Sequence, residues 1–290
     1  MKRGLLVAAL LLAACSDPAP RGSVVVYVAD DLAKYANDRF AKSGFVVTLV
    51  TGSNAELADK VIKKQDSPRA DVLLTSSTYD IWRAGDQGAL RPLEQATLER
   101  VATENRDPDK SWVALGWVSA TIGVVKDAEV PLIMAYQELG SPQLAGQLCL
   151  TSSALPLNRA LIAMLIADLG VKPAERAVRS WTRNLALPPF PSESALLEAV
   201  AAGTCKVAII SDAAAGTGLD QIYPEPTYRN IRGIGVSRHA QNADAAHAFV
   251  DWILSDLTPQ KPEHSNGRNI GIAGWRNEDA RLLAERAGYR

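Results

Sequence analysis

The chain has 290 residues, with 31 basic against 32 acidic side chains, a formal net charge of −1 and a hydrophobic content of 47%. That apolar share supports one or two well-buried cores. Nearly balanced charge without a basic tract argues against nucleic acid as a partner, because phosphate binding needs clustered Lys and Arg.

Met1 is followed by Lys2-Arg3 and an apolar run over residues 5–14. A basic start, a short apolar stretch and small residues at its end read as a secretory signal. The run is about half of the ~20 apolar residues that span a bilayer, so it is not a stable membrane helix. Its end, Leu12-Ala13-Ala14-Cys15, resembles a bacterial lipobox. The resemblance implies cleavage before Cys15, with a diacylglyceryl thioether and an N-acyl chain on that residue. The alternative is an ordinary cleaved signal followed by a chance Cys. Multiple acyl chains anchor firmly, since each buried methylene adds ~0.8 kcal/mol. Losing residues 1–14 leaves 29 basic and 32 acidic side chains, a net charge of −3. The mature body is expected in the periplasm, lipid-anchored to the membrane, which argues against enzymes that need ATP or NAD. Ser16 directly after Cys15 resembles outer-membrane sorting in enteric bacteria.

Residues 16–22 form a polar, Pro-containing tether. The continuous apolar run over 24–28 reads as a doubly buried parallel strand. A helical pattern over 32–42, a strand over 45–50, a helix over 54–64 capped by Ser53 or Asn54, a strand over 71–75 and a helix near 78–84 follow. This alternation predicts an open, mainly parallel sheet with helices on both faces. Such sheets bind ligands at the carboxyl ends of their strands, here residues 28–31, 51–53 and 75–77. A second alternating region spans about 120–236, with strands over 121–125, 148–150 and 207–210 and helices over 157–169, 174–184 and 195–202. Late helices over 242–254 and 277–287 are expected to pack on the first sheet. The division expected is a signal (1–14), a lipidated Cys and tether (15–22), lobe 1 (23–115 plus 238–290) and lobe 2 (116–237), with a cleft between two α/β lobes.

Beyond Cys15, two cysteines remain, Cys149 and Cys205. An even pair in an oxidising compartment suggests a disulfide, with two buried free thiols as the alternative. Such a bond would close a loop of about 55 residues, for which chain entropy gives on the order of 4 kcal/mol.

Several segments in order resemble the solute-binding proteins of ferric-iron-type ABC importers, over almost the whole mature length. They are Ser67 to Thr75 (SPRADVLLT), Gly88-Ala89-Leu90-Arg91-Pro92-Leu93, Arg106-Asp107-Pro108-Asp109 with Trp112, Gly146-Gln147-Leu148-Cys149, Ala201 to Ile209 (AAGTCKVAI), and Tyr228 to Ala240 (YRNIRGIGVSRHA). The resemblance implies a two-lobed type II periplasmic binding fold that closes around a small-molecule ligand and delivers it to an inner-membrane transporter. Cys149 and Cys205 sit where some members carry a cysteine pair, which supports the disulfide.

The departures bear on the ligand. Ferric members bind iron through a tyrosine pair just after the strand matching 207–210, and those positions fall on Ala213 and Ala214. A family glutamate falls on Ser76, and a histidine falls near Asp31. Asp31 and Asp212 without phenolates would make a poor ferric site. Cations that many members place before the strand over 121–125, and in the loop matching 186–189, are replaced by Trp117, Val118, Ala186 and Leu187. An apolar wall with a few hydroxyls suits a largely apolar, lipid- or sterol-like ligand. Asp31, Ser76, Ser77, Ser119, Ser152, Ser153 and Asp212 are candidates to hold its polar end, with Trp117, Leu187, Ala213 and Ala214 as the apolar lining. Trp117, Leu187 and Phe190 read equally well as core or rim residues. A helix cap is the more common role for an Asp at the Asp30-Asp31 position.

The runner-up ligand is an anion such as phosphate or phosphonate, held by backbone N–H groups at Thr151-Ser152-Ser153, where a helix cap is the alternative. Residual metal binding is a further alternative. His239, His247 and His264 lack metal-ligand spacing with one another or with Cys, so no metal or cofactor is expected. No nucleophile–base pair is readable, so the chain is not expected to be an enzyme. A monomer is expected. An anchored sensor or adaptor is the competing class, which a pull-down would separate from a transport protein.

Overall fold

The computed structural model describes residues 21–65, 67–214, 218–255 and 267–290. Cys15 and the segment before it therefore lie outside the described residues, as does His264. The first unit is β1 (Ser23–Ala29), α1 (Ala33–Phe40), β2 (Val46–Gly52), α2 (Asn54–Lys63), β3 (Val72–Thr75), α3 (Thr78–Asp86) and α4 (Gln95–Glu99). It forms as its sequence dictates. β1 pairs parallel with β2 and β3, both registers in phase. Ser53 Oγ accepts from the Glu56 N–H and Ser77 Oγ from the Asp80 N–H, so each serine caps the helix that follows it.

β4 (Val113–Val125), β5 (Leu148–Cys149), α5 (Pro156–Leu169), α6 (Val171–Arg183), α7 (Glu193–Ala201), β6 (Val207–Ser211), β7 (Leu219–Ile222) and β8 (Arg229–Val236) build the centre and the second unit. α6 buries Ala174, Ala177, Val178 and Trp181, the spacing of one helix face. Only Gly170, at φ 82°, separates α5 from α6. That left-handed backbone reverses the chain in one residue without a Cβ clash. α8 (Ala243–Ser255), α9 (Gly271–Trp275) and α10 (Asn277–Ala287) complete the chain.

The strand order is β2-β1-β3-β8-β4-β6-β5, with β7 also on β4. Pairing is parallel within β2-β1-β3 and between β5 and β6, and antiparallel wherever β4 or β8 takes part. The antiparallel pairs arise because β4 and β8 are the strands that cross between the units. β4 pairs with β8 through Ser119 and with β6 from Ala120 onward. One strand thus belongs to both lobes. Tyr136 pins the changeover: its hydroxyl donates to the Ala120 carbonyl (2.6 Å) and accepts from the Tyr228 N–H (3.1 Å), and the two rings stack.

Packing divides the chain differently from the boundaries expected at 115/116 and 237/238. β8 lies beside β3 in the first sheet. α8 packs on β8 and β1, but α10 packs on α5 and α6 of the second lobe, and α9 touches both α3 and α5. Helix periodicity shows that a helix has an apolar face, not which apolar face receives it. At the very end, the buried Tyr289 hydroxyl donates to the Thr151 carbonyl (2.7 Å) and the Ser153 hydroxyl donates to the Tyr289 carbonyl (2.9 Å). The C-terminus thereby fixes the loop before α5.

Cys149 and Cys205 form a disulfide, with Cα atoms 5.9 Å apart. It joins β5 to the approach to β6 inside a core of Leu196, Val200, Ala208 and Ile210.

Candidate functional site

A cavity of about 340 Å³ opens between the lobes. Its floor is the face of the crossing strands that carries Val118, Asn230 and Arg232. Val118 and Asn230 are register partners, and Arg232 lies two residues along β8, so all three project to the same side. Gly116 stands opposite Arg232, where an added Cβ would meet nothing within 4 Å. The missing side chain leaves Arg232 room.

The first lobe contributes the carboxyl ends of β1 and β3, through Asp31, Leu32 and Ser76. Ser76 is rigidly held. Its N–H donates to Asn54 Oδ1 (2.8 Å), its Oγ accepts from Asn54 Nδ2 (2.9 Å), and it donates to Asp31 Oδ1 (2.8 Å). Asn230 braces the same loop, accepting from the Thr78 N–H and hydroxyl and donating to the Ser76 carbonyl. The second lobe contributes Leu155, Pro156 and Leu157 at the start of α5, Ile209, Ser211 and Ala213 from the end of β6, and Glu193 at the start of α7. Glu193 accepts from the Ser211 N–H and hydroxyl (2.5 and 2.8 Å).

Of the residues singled out from the sequence, Asp31, Ser76, Val118, Thr151 and Ala213 line this cavity. The others lie elsewhere, for identifiable reasons. Trp117 and Ser119 occupy the opposite strand parity from Val118. Trp117 packs under Arg229, whose guanidinium lies 5.4 Å from the ring centroid, and the Ser119 N–H donates to Asp212 Oδ1 (3.0 Å). Asp212 is therefore a clasp between β4 and β6. Ala214 turns into the disulfide core. Ser77 caps α3 and faces a second cavity of about 210 Å³. Ser153 binds the C-terminus, and Leu187 is exposed at the surface. Ser152 cannot cradle an anion as expected. Its N–H donates to the Phe190 carbonyl, and the Ala154 and Leu155 N–H groups are taken by Ser152 itself.

The expectation of a cleft without cations is also corrected. Arg232 is half-buried on the cavity wall, and its side chain makes no hydrogen bond or ion pair with any described residue. It lies on β8, a strand the hydrophobic pattern did not separate from its surroundings. Its alternation, Asn230 and Arg232 against Arg229 and Ile231, was the signal available. The buried Arg229 on the other face is a different case: burial pulls its guanidinium down to about 10. None of the chain's seven tyrosines lines the cavity, and among the described residues no group of three or more His, Cys, Asp or Glu could hold a metal ion.

Comparison with known proteins agrees with this architecture. Residues 27–256 match the family model described as bacterial extracellular solute-binding protein. Iron uptake protein A1 of Synechocystis sp. is 26% identical over 239 residues, covering 74% of this chain and 66% of that protein. An Fe(3+)-binding periplasmic protein of Serratia marcescens is 25% identical over 275 residues, covering 86% of this chain and 79% of the relative. A Trichodesmium protein solved with iron and citrate ligands superposes with a TM-score of 0.79 at 23% identity, covering 93% of this chain and all of that one. With two lobes, two crossing strands and a cavity between them, the chain belongs to the bacterial extracellular solute-binding protein family.

Proposed function

We propose that this chain is a periplasmic binding protein that captures a small amphipathic organic ligand between its lobes and hands it to an inner-membrane ABC transporter. The observation that carries the reading is the two-sided cavity. Leu32, Val118, Leu155, Leu157 and Ile209 offer an apolar wall, and Arg232 offers a guanidinium that makes no hydrogen bond or ion pair with a described residue. An unpaired charge is costly in an enclosed cleft, so closure favours a ligand that brings an acidic group to Arg232. The ligand of this proposal thus has a largely apolar body and an acidic end. Pocket volumes of about 300–1,000 Å³ are usual for such ligands.

Ferric iron is the second reading, because the named relatives are iron proteins. The donor set opposes it: Ala213 supplies no ligand atom, and Asp31 and Glu193 come without phenolates. Native mass spectrometry of protein purified from its own host, beside metal analysis and organic extraction, decides. An organic acid near one-to-one supports the proposal, and stoichiometric iron sinks it. Arg232→Gln should weaken binding of that acid by about tenfold or more and flatten its salt dependence. Anchoring through Cys15 belongs to the same proposal, and the intact mass of membrane-extracted protein reads it directly.

A further inference from the structure

We infer that the ligand is a zwitterion, carrying, besides its acidic end, an amine that pairs with Asp31. The inference rests on the organic-ligand reading above and adds the second charge. The cavity holds two carboxylates against one guanidinium, and the carboxylates come from different lobes: Asp31 follows β1 and Glu193 opens α7. Both line one interlobe cavity of about 340 Å³, which closure would shut off from water. Like charges brought together in a water-poor space repel more strongly than in bulk water, and the single guanidinium of Arg232 offsets only one of the two carboxylates, so a ligand that adds a second cation favours the closed state.

The two carboxylates differ in readiness. Both Glu193 oxygens already accept from Ser211. Asp31 is exposed on a single 3-10 turn; its Oδ1 takes the Ser76 hydroxyl, and its Oδ2 accepts no hydrogen bond from the described residues. The Asn54–Ser76–Asp31 chain holds that carboxylate in place while leaving one oxygen open, as a preorganised site for an ammonium group requires. A monoanion would satisfy Arg232 and deepen the negative excess, and a simple cation would leave Arg232 unpaired. A zwitterion satisfies Arg232 and Asp31 together, and its apolar body meets Leu32, Leu155 and Ile209.

The test is calorimetric titration of the purified mature protein with three matched probe sets. They are phenylalanine, 3-phenylpropanoate and 2-phenylethylamine; leucine, 4-methylpentanoate and isopentylamine; and 6-aminohexanoate, hexanoate and hexylamine. In at least one set the zwitterion should bind about tenfold or more tighter than either half-molecule, since each lost charge-assisted contact costs at least that factor. Asp31→Asn should erase the advantage over the monoanion while leaving monoanion affinity equal or higher. Asp31→Glu should keep part of it, and thermal melts establish that both variants fold. Monoanions binding as tightly as zwitterions, or an Asp31→Asn variant that does not change the ratio, overturns the inference and leaves the organic-acid reading intact. Failure of every organic probe, together with iron in the native protein, overturns both.

Discussion

Ala213 and Ala214 are chemically identical neighbours with opposite surroundings. Ala213 lines the interlobe cavity, and Ala214 sits in the core beside the disulfide. Ala213→Trp is expected to fill the cavity and weaken ligand capture more than tenfold at nearly unchanged thermal stability, because the new ring displaces solvent or ligand rather than protein. Ala214→Trp should cost about 1–3 kcal/mol or more by overpacking, read by urea unfolding. Equal effects of the two would contradict the placement. Tyr136, Tyr228 and Tyr289 make a different prediction. Burial raises all three phenols above the ordinary 10.0, and at Tyr228 the hydrogen bond to Asp168 adds to the effect. The folded state therefore retains phenolic protons that the unfolded chain releases. Stability owed to these groups is fully present below about pH 10 and falls as pH rises past it. In an alkaline titration followed at 295 nm, these three tyrosines should ionise together with unfolding rather than before it.

At the scale of elements, strand parity decides which residues meet the ligand. On β4 the alternation sends Val118 to the cleft and Trp117 to the Arg229 face. Trp117→Ala is thus expected to lower stability by about 2 kcal/mol, roughly half the usual loss for a fully buried Trp, while leaving ligand affinity within about twofold. Loss of affinity without loss of stability would place the ring in the cleft after all. The apolar run over 24–28 and the capping serines made β1, α2 and α3 legible in the sequence, because burial and capping are local rules. β8 was not legible as the floor of the site. Its Gly233 allows Ile81 of α3 to press against the backbone, where a Cβ would lie 2.5 Å from Ile81 Cγ2. A glycine-punctuated strand of that kind carries little hydrophobic signal.

Across the whole molecule, the lobes are joined by β4 and β8 and bridged by α9, and β4 changes partner between Ser119 and Ala120, which is where ligand-linked closure is expected to bend it. The Cys149–Cys205 bond lies wholly within the second lobe and should not limit that movement. Reducing it, or replacing both cysteines with alanine, should lower unfolding free energy by about 4 kcal/mol while preserving ligand stoichiometry. Calorimetric melts with and without reductant measure the first, and titration the second. The alternating elements of the first unit, the helices over α5 to α8 and α10, the cysteine pair and strand-end positions such as Asp31 and Ser76 follow from the sequence alone, because periodicity, capping and composition act over a few residues. The tertiary structure alone decided three things: which strand face looks into the cleft, that the C-terminal helix serves the second lobe, and that Arg232 stands there without a partner. Those facts depend on residues distant in the chain meeting across packed surfaces, and no local pattern encodes which surfaces will meet.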